Sequence, residues 1–542
     1  MYCNFAIQKQ QKTKIMKKTS IILFLMVILV PLVSYTQPSI NDPFFDQVSY
    51  RGAFDDQDDW TSGWANWDPQ NTNYPVTTQT ISGEITSNTT WTNDNVYLLQ
   101  GFVYVVNGVT LTIQPGTIIR GDKNSKGTLI IERGAKLIAQ GTASEPIVFT
   151  SNQSAGSRNY GDWGGVIICG NAKINVPGGE AQIEGGPRSY YGGTNDNDNS
   201  GILKYLRIEF PGVPFQPDKE INGLTMGGVG KNTIIDYVQV SYSGDDAYEW
   251  FGGCVNAKHL ITLGTWDDDF DTDYGFSGMI QYAVALREPN IADVSGSNAF
   301  ESDNDASGST NTPQTSAVFS NVSIFGPKKD ASTTINSNYK RAMHLRRNTG
   351  IDIYNSIFIG WQDGLMIDGS ACESNANNNI LNIKYTTMAA MAGNYFNTAS
   401  GSTFDIHSWF LTTSFNNDTI SSYAPLLIRD PYNYSNPDFR LQSTSPLLNN
   451  SGFVGINEND FSSIYISIYP NLVNDILNIH FQNNVDKASV QILDIMGRIF
   501  YNEVLFDINN DLIINTASLP SGTYIIRVIN SNDFLQKSFI KL

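Results

Sequence analysis

The chain has 542 residues, with 52 Asp and Glu against 34 Lys and Arg, 46 Gly, four Cys and four His. At 41% hydrophobic and 12% aromatic it has ample material for a core, which excludes wholesale disorder, and a single compact globule of this length is disfavoured unless the fold repeats. The formal charge of −18 becomes −23 once the five lysines of residues 1–36 are set aside (29 bases against 52 acids); such a surface repels phosphate backbones, argues against nucleic acid and suits divalent cations.

Lys17 and Lys18 precede the apolar run Ile21–Val30, which Pro31 interrupts before Ser34 and Thr36. This is the layout of a secretory signal, and cleavage before Gln37 fits it. The run is about half the length of a membrane-spanning helix, so no transmembrane anchor is expected in the mature chain. Met16 lies directly before the lysine pair, so residues 1–15 read as an upstream extension of the reading frame. Cys3 leaves with the leader. The odd set Cys169, Cys254 and Cys372 permits one bridge at most, and Cys169, inside Val166–Cys169, reads as a buried small hydrophobe.

Residues 37–84 form a Trp-rich entry in which Trp60, Trp64 and Trp67 stand beside Asp55, Asp56, Asp58 and Asp59. An open solenoid end exposes core, so a cap is the expected role, with a sugar-stacking platform as the alternative. From 85 to 455 the chain repeats one pattern: a short run of β-branched and large apolar residues, then a turn of Gly, Asn or Asp. Examples are Val109–Ile113, Gly127–Ile131, Leu203–Ile208, Thr233–Val238 and Val322–Phe325. No long segment has a helical period. Asp245-Asp246-Ala247-Tyr248-Glu249 recurs as Asp267-Asp268-Asp269-Phe270-Asp271, an offset of 22, with Gly253 and Gly275 in step. That spacing predicts an all-β parallel β-helix, and at about 23 residues per coil it predicts on the order of 15 coils. Asn321 and Asn355, each just before a strand, read as bend residues that satisfy backbone groups.

The words of this region also resemble a family. Gly161-Asp162-Trp163-Gly164-Gly165, Cys169-Gly170-Asn171-Ala172, Leu203–Glu209, Asn436–Leu441 and Ser445-Pro446 are similar to the pectin-lyase-like right-handed β-helix proteins of exported bacterial repertoires. The resemblance implies a fold and leaves function open, because that superfamily holds lyases, hydrolases and adhesins.

The strongest polar signal is acidic. Asp267, Asp269, Asp271 and Asp273 alternate, so an extended segment would turn all four to one side, with Asp245, Asp246 and Glu249 one coil away and Asp268 beside them. Crowding of this kind is relieved by protonation, solvation or a cation, and structural Ca²⁺ is the expected cofactor. Asp196, Asp198 and Ser200, and likewise Asp303, Asp305 and Ser307, copy the first half of a calcium loop and then fail where an EF-hand needs Glu, having Arg207 and Gln314. If the protein is an enzyme, Asp245, Asp246, Asp267 and Asp268 supply acid and base, and Lys258, Arg287, His344, Arg346 or Arg347 the basic residue, with His344 and Arg346 on one face. The signatures of β-helix hydrolases and lyases are not reproduced. Four His without CxxC or HExxH spacing argue against zinc, neither a Gly-rich phosphate loop nor a serine-centred elbow appears, and no organic cofactor is expected.

After a linker at 456–463, residues 464–542 turn to short alternating strands that read as a small β-sandwich. Tyr469-Pro470-Asn471, Asp494 to Gly497-Arg498, Pro520 to Gly522-Thr523-Tyr524 and the terminal Lys537–Leu542 with Lys541 resemble the C-terminal sorting domain of the type IX secretion system. Leu472 stands where that family usually has a second proline. The resemblance implies the type IX machinery as partner and a secreted or outer-surface destination. The expectation is a Ca²⁺-stabilised glycan-binding or adhesive protein with a polysaccharide ligand; the alternative is a polysaccharide lyase or glycoside hydrolase using the stacked carboxylates.

Overall fold

The computed structural model describes residues 38–216, 219–452 and, in the C-terminal region, 466–469, 472–481, 485–494, 498–508, 512–529 and 534–542. The expected leader with Lys17, Lys18 and Cys3, and the linker at 456–463, lie outside these residues. Among the described residues no helix is long and apolar enough to cross a membrane.

The β-rich runs pair in parallel into one 26-stranded sheet that winds as a β-helix. Three strand-bearing faces make up a coil. On one face Leu203, Ile235, Ala257, Ile280, Phe319 and Ile353 lie in register, each above the last and all buried. On another, Tyr248, Phe270, Phe300, Met343 and Leu365 do the same. Period-two alternation explains both stacks: one set of side chains fills the interior while its neighbours point out. The 22-residue offset is a true coil, since Tyr248 pairs with Phe270 and Glu249 with Asp271. Gly253 and Gly275 both hold positive φ (81° and 87°), so the repeated glycine marks a repeated left-handed corner. The spacing then widens to 30 residues from Phe270 to Phe300 and 43 from Phe300 to Met343. Long connections therefore consume chain without adding height, and the helix has fewer coils than the fifteen expected.

The Trp-rich entry is a strap along the side of the coils. Seven corner residues, Tyr205, Tyr237, His259, Tyr282, Asn321, Asn355 and Tyr385, have positive φ and form a column. The rings of Tyr205, Tyr237 and His259 stack at 4.4 and 4.1 Å, and Trp60 and Trp64 meet them edge-on. Asn321 donates to the carbonyls of Tyr50 and Gly52 and so satisfies backbone groups of the strap, whereas Asn355 donates to the Ser320 hydroxyl and accepts from the backbone of Gly452. Gln281 exchanges two hydrogen bonds with the backbone of Asp46, and Gln239 does so with Asn66. Fully buried Arg51 ties the strap to the last coils through Thr387, Asp418 and the carbonyl of Asn450. Lys258 pairs with Asp46 of the same strap at 2.7 Å. At the last coils a short helix, Ile406–Phe410, packs buried Trp409 and Phe410 against the core.

Cys169, Cys254 and Cys372 are free thiols, and Cys169 is buried among Ile130, Ile167 and Phe251 as its sequence neighbours imply. The C-terminal region holds a three-stranded antiparallel sheet and a five-stranded mixed sheet around Val473, Leu477, Val490, Ile526 and Phe539. Tyr524 is buried and donates to the carbonyl of Pro520, Gly522 opens the strand Gly522–Ile529, and buried Lys541 ends the strand Phe534–Lys541. Tyr469 ends a strand; Pro470, Asn471 and Gly497 lie outside the described residues.

Candidate functional site

The acidic coils meet as their spacing requires. Asp246 and Asp268 are vertical neighbours, with the backbone N–H of Asp268 donating to Asp246 Oδ1 at 2.8 Å, and Asp268 accepts in turn from the backbone of Asn298. These two carboxylates fasten one coil to the next. Beside them Glu249 stands over Asp271, and Asp271 over Glu301. Ligand oxygens of Asp245, Asp246 and Asp267 lie within 4.8 Å of one another, as do those of Asp246, Glu249 and Asp271. Asp246, Glu249 and Asp268 are buried, whereas Asp245, Asp267, Asp271 and Asp273 are half-buried.

Among the described residues, none of Asp245, Asp246, Glu249, Asp267 or Asp271 has an ion-pair partner; Asp267 accepts only from the Ser295 hydroxyl, at 2.7 Å. Two carboxylates about 4.8 Å apart repel by roughly 3 kcal/mol at an effective dielectric of about 20. Burial, reinforced by these neighbours, pushes Asp245, Asp246, Glu249, Asp268 and Asp271 well above the usual carboxylate range, and burial does the same to Asp273 with Asp303 beside it. Asp267 is pushed up to about 6, again by burial first. Asn222, 2% exposed, lays its amide nitrogen against Glu249 and leaves its Oδ1 without a partner. Asp271 Oδ1 is likewise buried and unpartnered. Half-buried Trp266 flanks Asp267 and meets Tyr160 edge to face.

Asp269 leaves the group. It was expected to share a face with Asp267, Asp271 and Asp273, but the extended run begins only at Phe270, and Asp269 sits at the corner and points inward. There it accepts from Thr262 at 2.7 Å and pairs with fully buried Arg287 at 3.0 Å. Arg287 also donates to the carbonyls of Thr265, Asp267 and Asn298, so this candidate base is a clamp between coils. Lys258, held by the strap, is on another face.

His344 and Arg346 do share an outward face, one coil beyond Glu301. Arg346 pairs with Glu301 and, at 2.8 Å, with Asp303; Arg347 reaches Asp303 at 2.6 Å. His344 lies 3.0 Å from Asp368 and 3.5 Å from Glu301, with Arg341 at its other nitrogen. Glu301, Asp368, Arg341, Asn222 and Asn298 were not singled out in the sequence. A signal for Glu301 was present: Phe300-Glu301-Ser302 repeats Phe270-Asp271-Thr272, masked by the longer spacing.

The two weaker calcium-loop segments find protein partners. Asp196 pairs with Lys173 at 2.7 Å, while Asp198 accepts from Asn171 and Ser200. Asp303 takes the two arginines, and Asp305 accepts from Ser307 and Ser309.

Fold and site together define a β-helix with an outward-facing acidic site, followed by a C-terminal region of one antiparallel and one mixed sheet. Residues 83–423 match the pectate-lyase like beta helix domain, and residues 467–542 the secretion system C-terminal sorting domain. The chain belongs to the pectate-lyase-like β-helix family, carries a type IX sorting domain, and is exported to the cell surface or secreted. No curated protein matches it. Among solved structures it is similar to the Dettilon tailspike protein gp208, at 9% identity over 81% of this chain and 74% of that one, with a TM-score of 0.24. It is also similar to tailspike protein 2 of Escherichia coli O157:H7 bacteriophage CAB120, at 9% identity over 82% and 64% with a TM-score of 0.20. Likenesses this distant say nothing about activity.

Proposed function

We propose that the exported β-helix is a glycan-binding or adhesive protein whose acidic coils carry structural Ca²⁺. The observation that supports it is the set of five carboxylates, Asp245, Asp246, Glu249, Asp267 and Asp271, that no side-chain cation neutralises among the described residues. A hard divalent cation coordinated by six to eight oxygens removes their repulsion, and the oxygen spacing suits Ca–O distances of about 2.4 Å. Half-exposed acids beside Trp266 and Tyr160 offer a sugar hydrogen-bond acceptors and an aromatic edge. The test is thermal unfolding of the mature protein in calcium chloride and in EDTA. Binding at 100 times the dissociation constant adds about 2.7 kcal/mol, so calcium is expected to raise the melting temperature by several degrees. An unchanged melting temperature overturns the reading, and a glycan array tests the ligand.

One observation favours a second reading, a hydrolase or lyase: half-buried Asp267, held near 6, is suited to give and take a proton at neutral pH. Turnover on a panel of acidic and neutral polysaccharides, abolished in folded Asp246→Asn or Asp268→Asn protein, would establish it; no turnover on any of them leaves the binding protein.

A further inference from the structure

The five unpaired carboxylates do not form one group. They form two triads with a single member in common: Asp245, Asp246 and Asp267 on one side, Asp246, Glu249 and Asp271 on the other. Around an ion with Ca–O distances of 2.3–2.6 Å, any two ligand oxygens are at most about 5 Å apart. Each triad, with its oxygens within 4.8 Å, therefore fits around one ion, whereas the five together do not fall within that span. Charge points the same way. Five carboxylates around one divalent ion keep a formal −3, and around two ions they keep −1.

We infer that the acidic coils hold a pair of divalent cations bridged by Asp246. The inference rests on the reading that these coils bind a divalent cation at all, and goes beyond it in number and geometry. A carboxylate has two oxygens with four lone pairs, so Asp246 can face both ions while Oδ1 still accepts from the backbone of Asp268. The two positions differ in surroundings. Asp245 and Asp267 are half-buried, which leaves the first ion open to water and to an incoming ligand. The second lies against buried Glu249 and Asn222, whose Oδ1 has no partner among the described residues; half a turn of that amide would present the oxygen to the ion. Buried, unpartnered Asp271 Oδ1 is a further acceptor at the second position. The neighbouring carboxylates of Glu301 and Asp303 add no third position, because Arg346 and Arg347 already hold them.

The experiment is equilibrium dialysis of the mature protein against calcium chloride, counting ions per chain at saturation. Wild-type protein is expected to bind two. Asp245→Asn and Glu249→Gln are each expected to bind one, from opposite triads, and Asp246→Asn to lose both. One ion in wild-type protein, or one retained by folded Asp246→Asn, overturns the bridged pair while leaving a calcium-binding protein. No bound ion in wild-type protein overturns the underlying reading as well. Because Asp246 also fastens a coil, a second measurement needs no variant: wild-type protein loaded with two Mn²⁺ is expected to give the spin-coupled electron paramagnetic resonance spectrum of a carboxylate-bridged pair, and two independent six-line signals would sink the proposal.

Discussion

Two adjoining stretches of one outward column answer the same electrostatic problem differently. At Glu249 and Asp271 the stacked carboxylates have no ion-pair partner among the described residues; at Glu301 and Asp303, the next coil along, Arg346, Arg347 and His344 close around them. Coils are one strand spacing apart, about 4.8 Å, so the change from unneutralised to neutralised happens within a single step of the helix. Acidic side chains on a solenoid face are thus not one feature. Where the register places a guanidinium above them they are internal ion pairs, and where it places another acid they call for a counter-ion from outside.

The comparison can be broken from the interior first. Arg287→Met strips the partner from buried Asp269 and the clamp from three carbonyls, and a broken buried pair costs about 3–5 kcal/mol, to be read as a drop in the denaturant midpoint. Arg346→Met would convert the neutralised coil into a copy of its neighbour. Its quarter-exposed side chain and the surviving Arg347 reduce the expected loss to about 2 kcal/mol. Its sharper consequence is that the melting temperature of the variant should rise more on adding calcium than that of wild-type protein. If the two rises are equal, the arginine is not the reason the second coil needs no cation.

The smallest effect is a pH dependence confined to the acidic coils. Their folded carboxylates bind protons more tightly than unfolded ones, Asp267 to about 6 against an ordinary value of 3.8. The folded state therefore holds extra protons between about pH 4 and 6, and the associated stability is present at low pH and lost as pH rises through about 6. In EDTA, moving from about pH 7.5 to 5.5 is expected to raise the melting temperature by a few degrees, whereas with calcium bound the rise should shrink because metal and protons compete for the same oxygens. Equal slopes in EDTA and calcium would show that these carboxylates do not hold the ion.

Much of the architecture was legible because a β-helix writes its period into the chain. The 22-residue echo of Asp245–Glu249 in Asp267–Asp271 gave the coil and the contact between Asp246 and Asp268. Asp269 was misread because simple alternation assumes an extended segment, while the corner before Phe270 turns its side chain inward. The Trp-rich entry was expected to close an end, yet it runs along a column of corner residues whose left-handed backbone has no local signal in Tyr205, Tyr237 and Tyr282.

By itself the sequence determined the export address, the repeating strands, the acidity and the column of aspartates, because each depends on neighbours in the chain or on a short fixed period. Only the tertiary structure decided which acids keep company with which bases. Arg346 is 45 residues from Glu301 and Arg287 is 18 from Asp269, and nothing local sets those meetings. They follow from coils of unequal length, whose loops shift the register by amounts no single repeat predicts.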